Sequence, residues 1–246
     1  MKGIAFISGF ISGLVTFGVI LPVNCQVTSD KTTNTVVNKS GNNFNIINGI
    51  QKGNNLFHSF QEFSIPQGSS ATFKNSSAIE NIINRVTGGN ISNIDGLIKA
   101  QGNANLFLIN PNGIVFGENS RLDIGGSFLG STAESILFKD GFNYSAIVSD
   151  QPQLLTVSVP LGLQMGINPG SITVEGNGHA LSGGVFFPSA FNNTDTGLQV
   201  NQGQTLGLIG AEINLNGGIV RVPGGNIQLS SIERFIPTNC SRMFFW

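Results

Sequence analysis

The chain has 246 residues, a formal net charge of −1 and 10% charged residues, against about 25% in a typical domain. This near-neutral balance gives no electrostatic basis for binding nucleic acid or an anionic membrane, so neither is predicted as a partner. With 40% hydrophobic residues, 33 Gly and 29 Asn, the composition instead favours short apolar strands joined by tight turns, because Gly and Asn adopt turn conformations readily.

Residues 1–25 have the features of a secretory signal peptide. A basic start is followed by an uncharged apolar stretch, and Val23 and Cys25 allow cleavage before Gln26. An uncleaved transmembrane anchor is the alternative, because the apolar run is nearly long enough to span a bilayer. Cleavage would leave Cys240 as the single cysteine, which predicts neither an intramolecular disulfide nor a cysteine metal site.

The middle of the chain has the pattern of a β-solenoid. Residues 26–45 are polar and resemble an edge or capping segment, after which apolar bursts of three to five residues alternate with Gly and Asn corners. Such short strands fit stacked coils better than an antiparallel sandwich. Residues 138–166 interrupt the pattern and are predicted to form loops or a small extra sheet.

Internal similarity supports the solenoid without giving a strict repeat. The sequence INPNGIVFGEN at 109–119 resembles INPGSITVEGN at 167–177, and NLNGGIVRVPGG at 214–225 is a looser variant. The first two are 58 residues apart, which predicts a separation of three coils at roughly 20 residues each.

One segment allows two interpretations. In SSAIENIINRVTGG, the residues Ile79, Ile82, Ile83 and Val86 have helical spacing, and Gly88 would end a helix. The Asn and β-branched residues favour a strand with a turn equally well.

The tetrapeptide Asn110-Pro111-Asn112-Gly113 lies between two apolar runs, and its residue types predict a type I β-turn. Pro111 fixes its own φ and favours an extended Asn110, whose side chain can accept a hydrogen bond from the backbone two residues on. The motif is therefore either a rigid corner between two buried strands, or a corner that a partner also requires.

The remaining polar residues give little reason to predict chemistry. His58 and His179 lack metal-ligand spacing, and His58 is predicted to be a packed histidine in an apolar strand. A polysaccharide-cleaving β-helix enzyme would need convergent carboxylates. The carboxylates considered for this role are predicted to be solvated turn residues: Glu118, Asp123, Asp140 and Asp150.

An ordered set of motifs resembles a known family. RVTG, IDG, LFLINPNGI and DIGGSF occur in this order within residues 48–135. Together they are similar to the secretion domain of filamentous haemagglutinin-type adhesins, which are exoproteins of two-partner secretion. The similarity extends over about residues 27–229.

This resemblance implies a fold and a route of export. The fold would be a right-handed parallel β-helix, a pectin-lyase-like single-stranded solenoid with an N-terminal cap and extra-helical β elements. The chain would cross the inner membrane by the Sec machinery. The POTRA domains of an outer-membrane β-barrel transporter would then recognise it in the periplasm, and it would be secreted or displayed at the cell surface. No cofactor or metal is implied.

The resemblance also implies which residues the transporter requires. The main motif matches at Asn110, Pro111, Asn112, Gly113 and Ile114. An upstream Asn motif of the family matches only in part at Asn54, Asn55 and Leu56, because no Pro is present, which puts its role in doubt.

We therefore predict three regions: a signal peptide at 1–25, a secretion domain at 26–230 and an atypical tail at 231–246. The predicted function is a non-enzymatic secretion signal and folding nucleus for an adhesin that mediates cell adhesion or haemagglutination, with a cell-surface glycan as a ligand of the full-length protein. The alternatives are an exported polysaccharide-active β-helix enzyme and a truncated, non-functional fragment, the latter because an apolar tail does not suit the end of a solenoid.

Overall fold

The computed structural model describes residues 26–147, 155–178, 181–182, 190–191, 197–232 and 242–244. Every regular secondary-structure element in these residues is a β-strand. The same residues contain no helix long and apolar enough to cross a membrane. The predicted signal peptide, Asp150, His179 and Cys240 lie outside them. The strands are β1 Val27–Ser29, β2 Thr35–Ser40, β3 Asn43–Asn48, β4 Ile50–Lys52, β5 Asn55–Phe63, β6 Ser70–Phe73, β7 Asn81–Val86, β8 Ser92–Ile94, β9 Leu97–Ala100, β10 Asn105–Ile109, β11 Ile114–Phe116, β12 Arg121–Asp123, β13 Phe128–Ser131, β14 Ser135–Phe138, β15 Asn143–Ser145, β16 Pro160–Gln164, β17 Ile172–Glu175, β18 Leu181–Ser182, β19 Ala190–Phe191, β20 Leu198–Gln199, β21 Thr205–Gly210, β22 Ile213–Asn216, β23 Val220–Arg221, β24 Asn226–Ser231 and β25 Arg242–Phe244.

Three sheets run along the stack, as a parallel β-helix requires. The longest has the order β1-β5-β7-β10-β13-β21-β24, with β4 also paired to β5, and its strands from β5 to β24 are all parallel. The second has the order β22-β17-β11-β8, and the third has the order β12-β9-β6-β3-β2. Each coil contributes one strand to a sheet, so burial of one coil depends on the next.

The N-terminal end is closed by antiparallel strands. β1 and β4 pair with β5, and β2 pairs with β3, all antiparallel. This confirms the capping segment predicted for residues 26–45. The cap covers the edge that the first coil would otherwise expose, and an exposed sheet edge is a site of aggregation.

An antiparallel sheet lies outside the helix, in the order β15-β14-β16-β25. Side chains of β15 and β16 and of the following Met165 pack on the outer face of the long sheet, where Tyr144, Leu163 and Met165 join Phe57 and Ile83 in one buried cluster. The inner face of the same sheet belongs to the main core, with Leu56, Ile82 and Leu106. The extra sheet predicted within residues 138–166 is thus present.

Burial on both faces settles the ambiguous segment. Asn81–Val86 is a strand, and all six of its residues are buried. Ile82 faces the main core and Ile83 faces the extra-helical sheet. A strand buried on both sides lacks the alternation of apolar and polar residues that marks a half-buried strand, so the spacing of its isoleucines fitted a helix equally well.

The predicted spacing of the internal repeat is wrong. Ile114 pairs directly with Ile172, so the two similar sequences lie on adjacent coils and not three coils apart. The extra-helical sheet accounts for the additional residues between them. The third similar sequence, residues 214–225, does not stack on the second in the register that the similarity suggests. The strand that pairs with Ile172 begins at Ile213, and Val220 belongs to a different sheet.

Candidate functional site

The corner between β10 and β11 is the turn that the sequence predicted. The Gly113 amide donates to the Asn110 carbonyl at 3.1 Å, and the Asn112 amide donates to Asn110 Oδ1 at 3.0 Å. Gly113 has a φ of 130°, which glycine adopts without strain. The side chain and carbonyl of Asn110 therefore close the turn together.

The corner is fastened to the preceding coil by its two asparagine side chains. Asn110 Nδ2 donates to the Asn90 carbonyl at 3.0 Å and lies 2.9 Å from Ser92 Oγ. Asn112 Nδ2 donates to the Gly88 carbonyl at 2.7 Å. These bonds give two backbone carbonyls of the preceding loop a side-chain donor.

The backbone of the corner is also fastened to the following coil. The carbonyl of Pro111 accepts from the Gly170 amide at 2.8 Å, and the amide of Ile114 donates to the Ser171 carbonyl at 3.1 Å. A Cβ at Gly170 would overlap the Asn112 carbonyl, so glycine permits this close approach. The five-residue motif thus connects three successive coils.

Most of the motif is inaccessible in the folded domain. Asn110 and Ile114 are 0% exposed, and Gly113 is buried. Pro111 is half-buried, while Asn112 is exposed. The side chain that makes most of the hydrogen bonds, Asn110, cannot touch a partner of the folded chain.

The upstream residues Asn54, Asn55 and Leu56 lie elsewhere. They are at the beginning of β5, whereas Asn110 follows the end of β10, so the two sets are at opposite ends of the strands of the long sheet. Asn55 and Leu56 are buried and Asn54 is exposed. The structure does not bring the two predicted motifs together.

Asn55 begins a ladder of polar side chains that sequence reasoning missed. Asn81 Nδ2 donates to Asn55 Oδ1 at 2.9 Å, and Asn105 Nδ2 donates to Asn81 Oδ1 at 3.1 Å. Asn105 Oδ1 then accepts from the amide of Ser127 at 2.9 Å. The sequence feature that could have revealed this ladder is an Asn directly before each of three apolar runs, at intervals of 26 and 24 residues. The ladder fixes the register of four coils.

A buried arginine connects three parts of the domain. Arg85 is 4% exposed, and its guanidinium donates to Ser59 Oγ at 2.7 Å, to Thr32 Oγ1 at 3.0 Å and to the Ser145 carbonyl. It also lies 4.5 Å from the centre of the Tyr144 ring. Arg85 thereby joins the cap, the coils and the extra-helical sheet. The sequence feature that could have revealed this network is the charged Arg85 within the mainly apolar segment NIINRV.

Asp30 supplies the opposite charge to this network. Its carboxylate accepts hydrogen bonds from Ser59 Oγ at 2.5 Å, from Thr87 Oγ1 at 2.8 Å and from the amide of Thr32 at 2.9 Å. Burial alone raises the pKa of Asp30, but hydrogen bonds from Ser59, Thr32 and Thr87 together outweigh it and hold the pKa below its ordinary value.

His58 is a packed histidine, as predicted. It is 1% exposed, and its Nδ1 lies 2.9 Å from Thr35 Oγ1. Its ring is stacked with that of Phe60 and tilted against that of Phe73. Burial disfavours the charged imidazolium and lowers the pKa of His58 to about 3. The ring is therefore neutral at physiological pH.

The carboxylates considered for catalysis have separate polar partners. Glu118 accepts from Asn177, Asp123 pairs with Lys99, and Asp140 accepts from Thr156. Glu118 and Asp140 are exposed turn residues, as predicted, whereas Asp123 is exposed but is the last residue of strand β12 and not part of a turn. Among the described residues, no group of three or more His, Cys, Asp or Glu could hold a metal ion.

Known proteins that are similar to this chain include two from Haemophilus influenzae. A heme/hemopexin-binding protein of Haemophilus influenzae is 36% identical over 69 residues, which is 28% of this chain and 7% of that protein. The crystal structure of the HMW1 secretion domain from Haemophilus influenzae superposes with a TM-score of 0.51 at 20% identity, covering 90% of this chain and 48% of that one. The chain therefore spans less than half of either protein, and the second likeness supports the β-helix fold.

The family model described as the TPS secretion domain matches residues 25–238. This range contains the cap, the stacked coils, the extra-helical strands β14 to β16 and both candidate motifs. The chain therefore belongs to the family of secretion domains of two-partner-secretion proteins.

Proposed function

We propose that this chain carries the secretion signal and the folding nucleus of a two-partner-secretion adhesin. The observation that carries the proposal is the Asn110–Ile114 corner, which joins three coils next to a capped N-terminal end. A chain that crosses the outer membrane unfolded needs a first folded unit outside, because each later coil gains burial and hydrogen bonds only by stacking on its predecessor.

The proposed partner is an outer-membrane β-barrel transporter that binds the chain through POTRA domains in the periplasm. The proposed route begins with Sec-dependent export directed by residues 1–25, and it ends in secretion or surface display. The proposed secretion domain covers residues 26–230, with 231–246 as a separate tail. Adhesion, haemagglutination and glycan binding are proposed for the full-length protein.

A non-enzymatic role suits the polar side chains of the described residues. Glu118, Asp123 and Asp140 are exposed, and each has a separate polar partner. The larger polar clusters, around Arg85 and along the asparagine ladder, are buried and link structural elements. This arrangement supports a structural module over a polysaccharide-active enzyme, whose carboxylates must face a substrate.

The test is secretion from cells with and without the transporter. We expect the wild-type chain to appear in the medium when the cognate transporter is present and to remain in the periplasm when it is deleted. Asn110→Ala should reduce release, while Asn177→Ala, an exposed asparagine bonded to Glu118, should not. Release that is equal with and without the transporter would refute the proposed function.

A further inference from the structure

Asn55 is a buried amide at the beginning of β5 whose side chain reaches two other parts of the chain. It is 2% exposed. Its Nδ2 donates to the Ser158 carbonyl at 2.7 Å and to the Thr156 carbonyl at 3.4 Å, and its Oδ1 accepts from Asn81 Nδ2 at 2.9 Å. Asn55 therefore lies between the second coil and the segment that leads into β16, and it bonds to both.

That segment, residues 155–159, is also bonded to the extra-helical sheet. Thr156 is 7% exposed, and its Oγ1 donates to the carboxylate of Asp140 in the turn after β14. The amide of Ser158 donates to Thr156 Oγ1 at 2.9 Å. The segment is thus held to the sheet on one side, while the bonds from Asn55 hold it to the first coil on the other.

The neighbouring contact between the segment and the first coil is exposed. A Cβ placed on Gly53 would lie 3.4 Å from the Cβ of Val157, so the two backbones are close. Val157 itself is 72% exposed, so this contact buries little apolar surface. At this point the segment meets the coil through the hydrogen bonds of Asn55 and not through a buried Val157.

The two candidate motifs find their partners at very different distances in sequence. Asn110 bonds to Asn90 and Ser92, which lie 20 and 18 residues before it on the preceding coil. Asn55 donates to carbonyls 101 and 103 residues after it. A buried amide that lacks its partners is costly, so the burial of Asn55 is coupled to the docking of a segment that emerges much later.

Other bonds attach the far side of the extra-helical sheet to the same coils. The Tyr144 hydroxyl donates to the His58 carbonyl at 2.9 Å, and the Arg85 guanidinium donates to the Ser145 carbonyl. These bonds attach β15, whereas Asn55 attaches the approach to β16. Two separate attachments fix the orientation of the sheet on the coils as well as its position.

We propose that Asn55 is a positioning residue that seats the extra-helical sheet on the first coil. The upstream motif then acts in completing the folded domain, once residues 156–158 are available, and not as a contact for the transporter. The seating is independent of the proposed function, and the statement about the transporter rests on it.

Hydrogen exchange of purified residues 26–246 tests the seating. Asn55→Asp keeps the size of the side chain and the acceptor for Asn81, but it removes both donated bonds. We expect the amides of residues 155–164 to exchange about tenfold faster, while those of Asn81–Val86 stay within about threefold of the wild type. Asn105→Asp is the matched control, because it removes a donated bond of the same ladder away from the extra-helical sheet and should leave residues 155–164 unchanged.

Asn55→Ala is the second variant, since it removes the donated bonds without placing a carboxylate opposite two carbonyls. It should give the same local acceleration. Wild-type exchange at residues 155–164 in both Asn55 variants would overturn the inference, as would equal acceleration in β5, β7 and residues 155–164.

A secretion measurement separates seating from transporter contact. Loss of release from cells by Asn55→Ala, with wild-type exchange at residues 155–164, would make Asn55 a transporter contact and overturn the inference. The exchange measurement contains no transporter, so a failed seating leaves the proposed function standing. The proposed function fails separately, if release is equal with and without the transporter.

Discussion

The first coils and the last coil of the β-helix use similar apolar sequences but bury them very differently. Ile82 and Leu106 are 0% and 1% exposed, whereas Ile227, which lies in the same row of the long sheet, is 48% exposed. The first coils are covered by the antiparallel cap, while β22, β23 and β24 are each the final strand of a sheet among the residues that the structure describes. Hydrophobicity alone does not determine burial here, because a residue is buried only if another coil or a cap lies over it.

The two ends also differ in their polar contacts. Arg85, Asp30 and Tyr144 join the cap, the coils and the extra-helical sheet across more than 100 residues of sequence. The end strands β22 and β24 instead expose Leu215 and Leu229. We infer that the N-terminal region unfolds as one cooperative unit and that the last coil opens at lower cost.

The largest expected effect comes from breaking the buried network. Arg85→Ala should lower the free energy of unfolding by about 3–5 kcal/mol, because it removes a buried guanidinium and leaves Ser59, Thr32 and the Ser145 carbonyl without the hydrogen bonds it donates. Urea denaturation measures this. Arg121→Ala, which removes an arginine bonded to the nearby carbonyls of Glu118 and Ser120, should cost less than about 1 kcal/mol. Equal losses would contradict the proposed role of Arg85.

A matched pair of leucines tests the difference in burial directly. Leu108 and Leu229 occupy the same row of the long sheet but are 0% and 41% exposed. Leu108→Ala should cost about 2–5 kcal/mol through lost burial and a cavity. Leu229→Ala should cost less than about 1 kcal/mol. Similar losses in urea denaturation would mean that the last coil is covered in solution.

Acid should weaken the capped end through His58. Its pKa is about 3 when folded and about 6.5 when unfolded, so the unfolded chain binds the proton more tightly. The contribution of neutral His58 to the free energy of unfolding is complete above pH 6.5, and it is lost as the pH falls from 6.5 towards 3. Between pH 7 and pH 4.5 we expect a loss of about 2.5 kcal/mol, measured by urea denaturation.

The His58→Gln variant should lack this part of the pH dependence, whatever its own stability. His179→Gln is the control that should retain it, because it leaves His58 unchanged. Hydrogen exchange at pH 4.5 should increase first in β1 to β5, which surround His58. An unchanged slope in His58→Gln would show that other groups cause the acid sensitivity.

The smallest expected effect lies at the corner. Asn110→Ala should lower stability by about 1–3 kcal/mol, because it removes a buried side chain that bonds to the Asn90 carbonyl, to the Asn112 amide and to the buried Ser92 hydroxyl. Asn112→Ala should cost less, since its side chain is exposed and water can replace it. A larger loss for Asn112→Ala would contradict the geometry of the turn.

Much of the fold could be predicted from local sequence. The Asn-Pro-Asn-Gly turn follows from the residue types at each turn position, and the capping segment follows from its polarity. The ladder of Asn55, Asn81 and Asn105 could not be predicted in the same way, because the coil length varies and no single spacing reveals the register. The hydrogen bonds of Arg85 could not be predicted from the sequence either, because its partners Thr32, Ser59 and Ser145 are distant in sequence.

The sequence by itself determined the β-strand class, the tight corners and the family resemblance, because these depend on neighbouring residues and on motifs in order. Tertiary structure alone decided which coils are adjacent, as shown by the direct pairing of Ile114 with Ile172 across an inserted sheet. It also decided which face of each motif is accessible. Asn110 is buried because the coils on either side of it stack against the corner, and that stacking depends on contacts between distant segments.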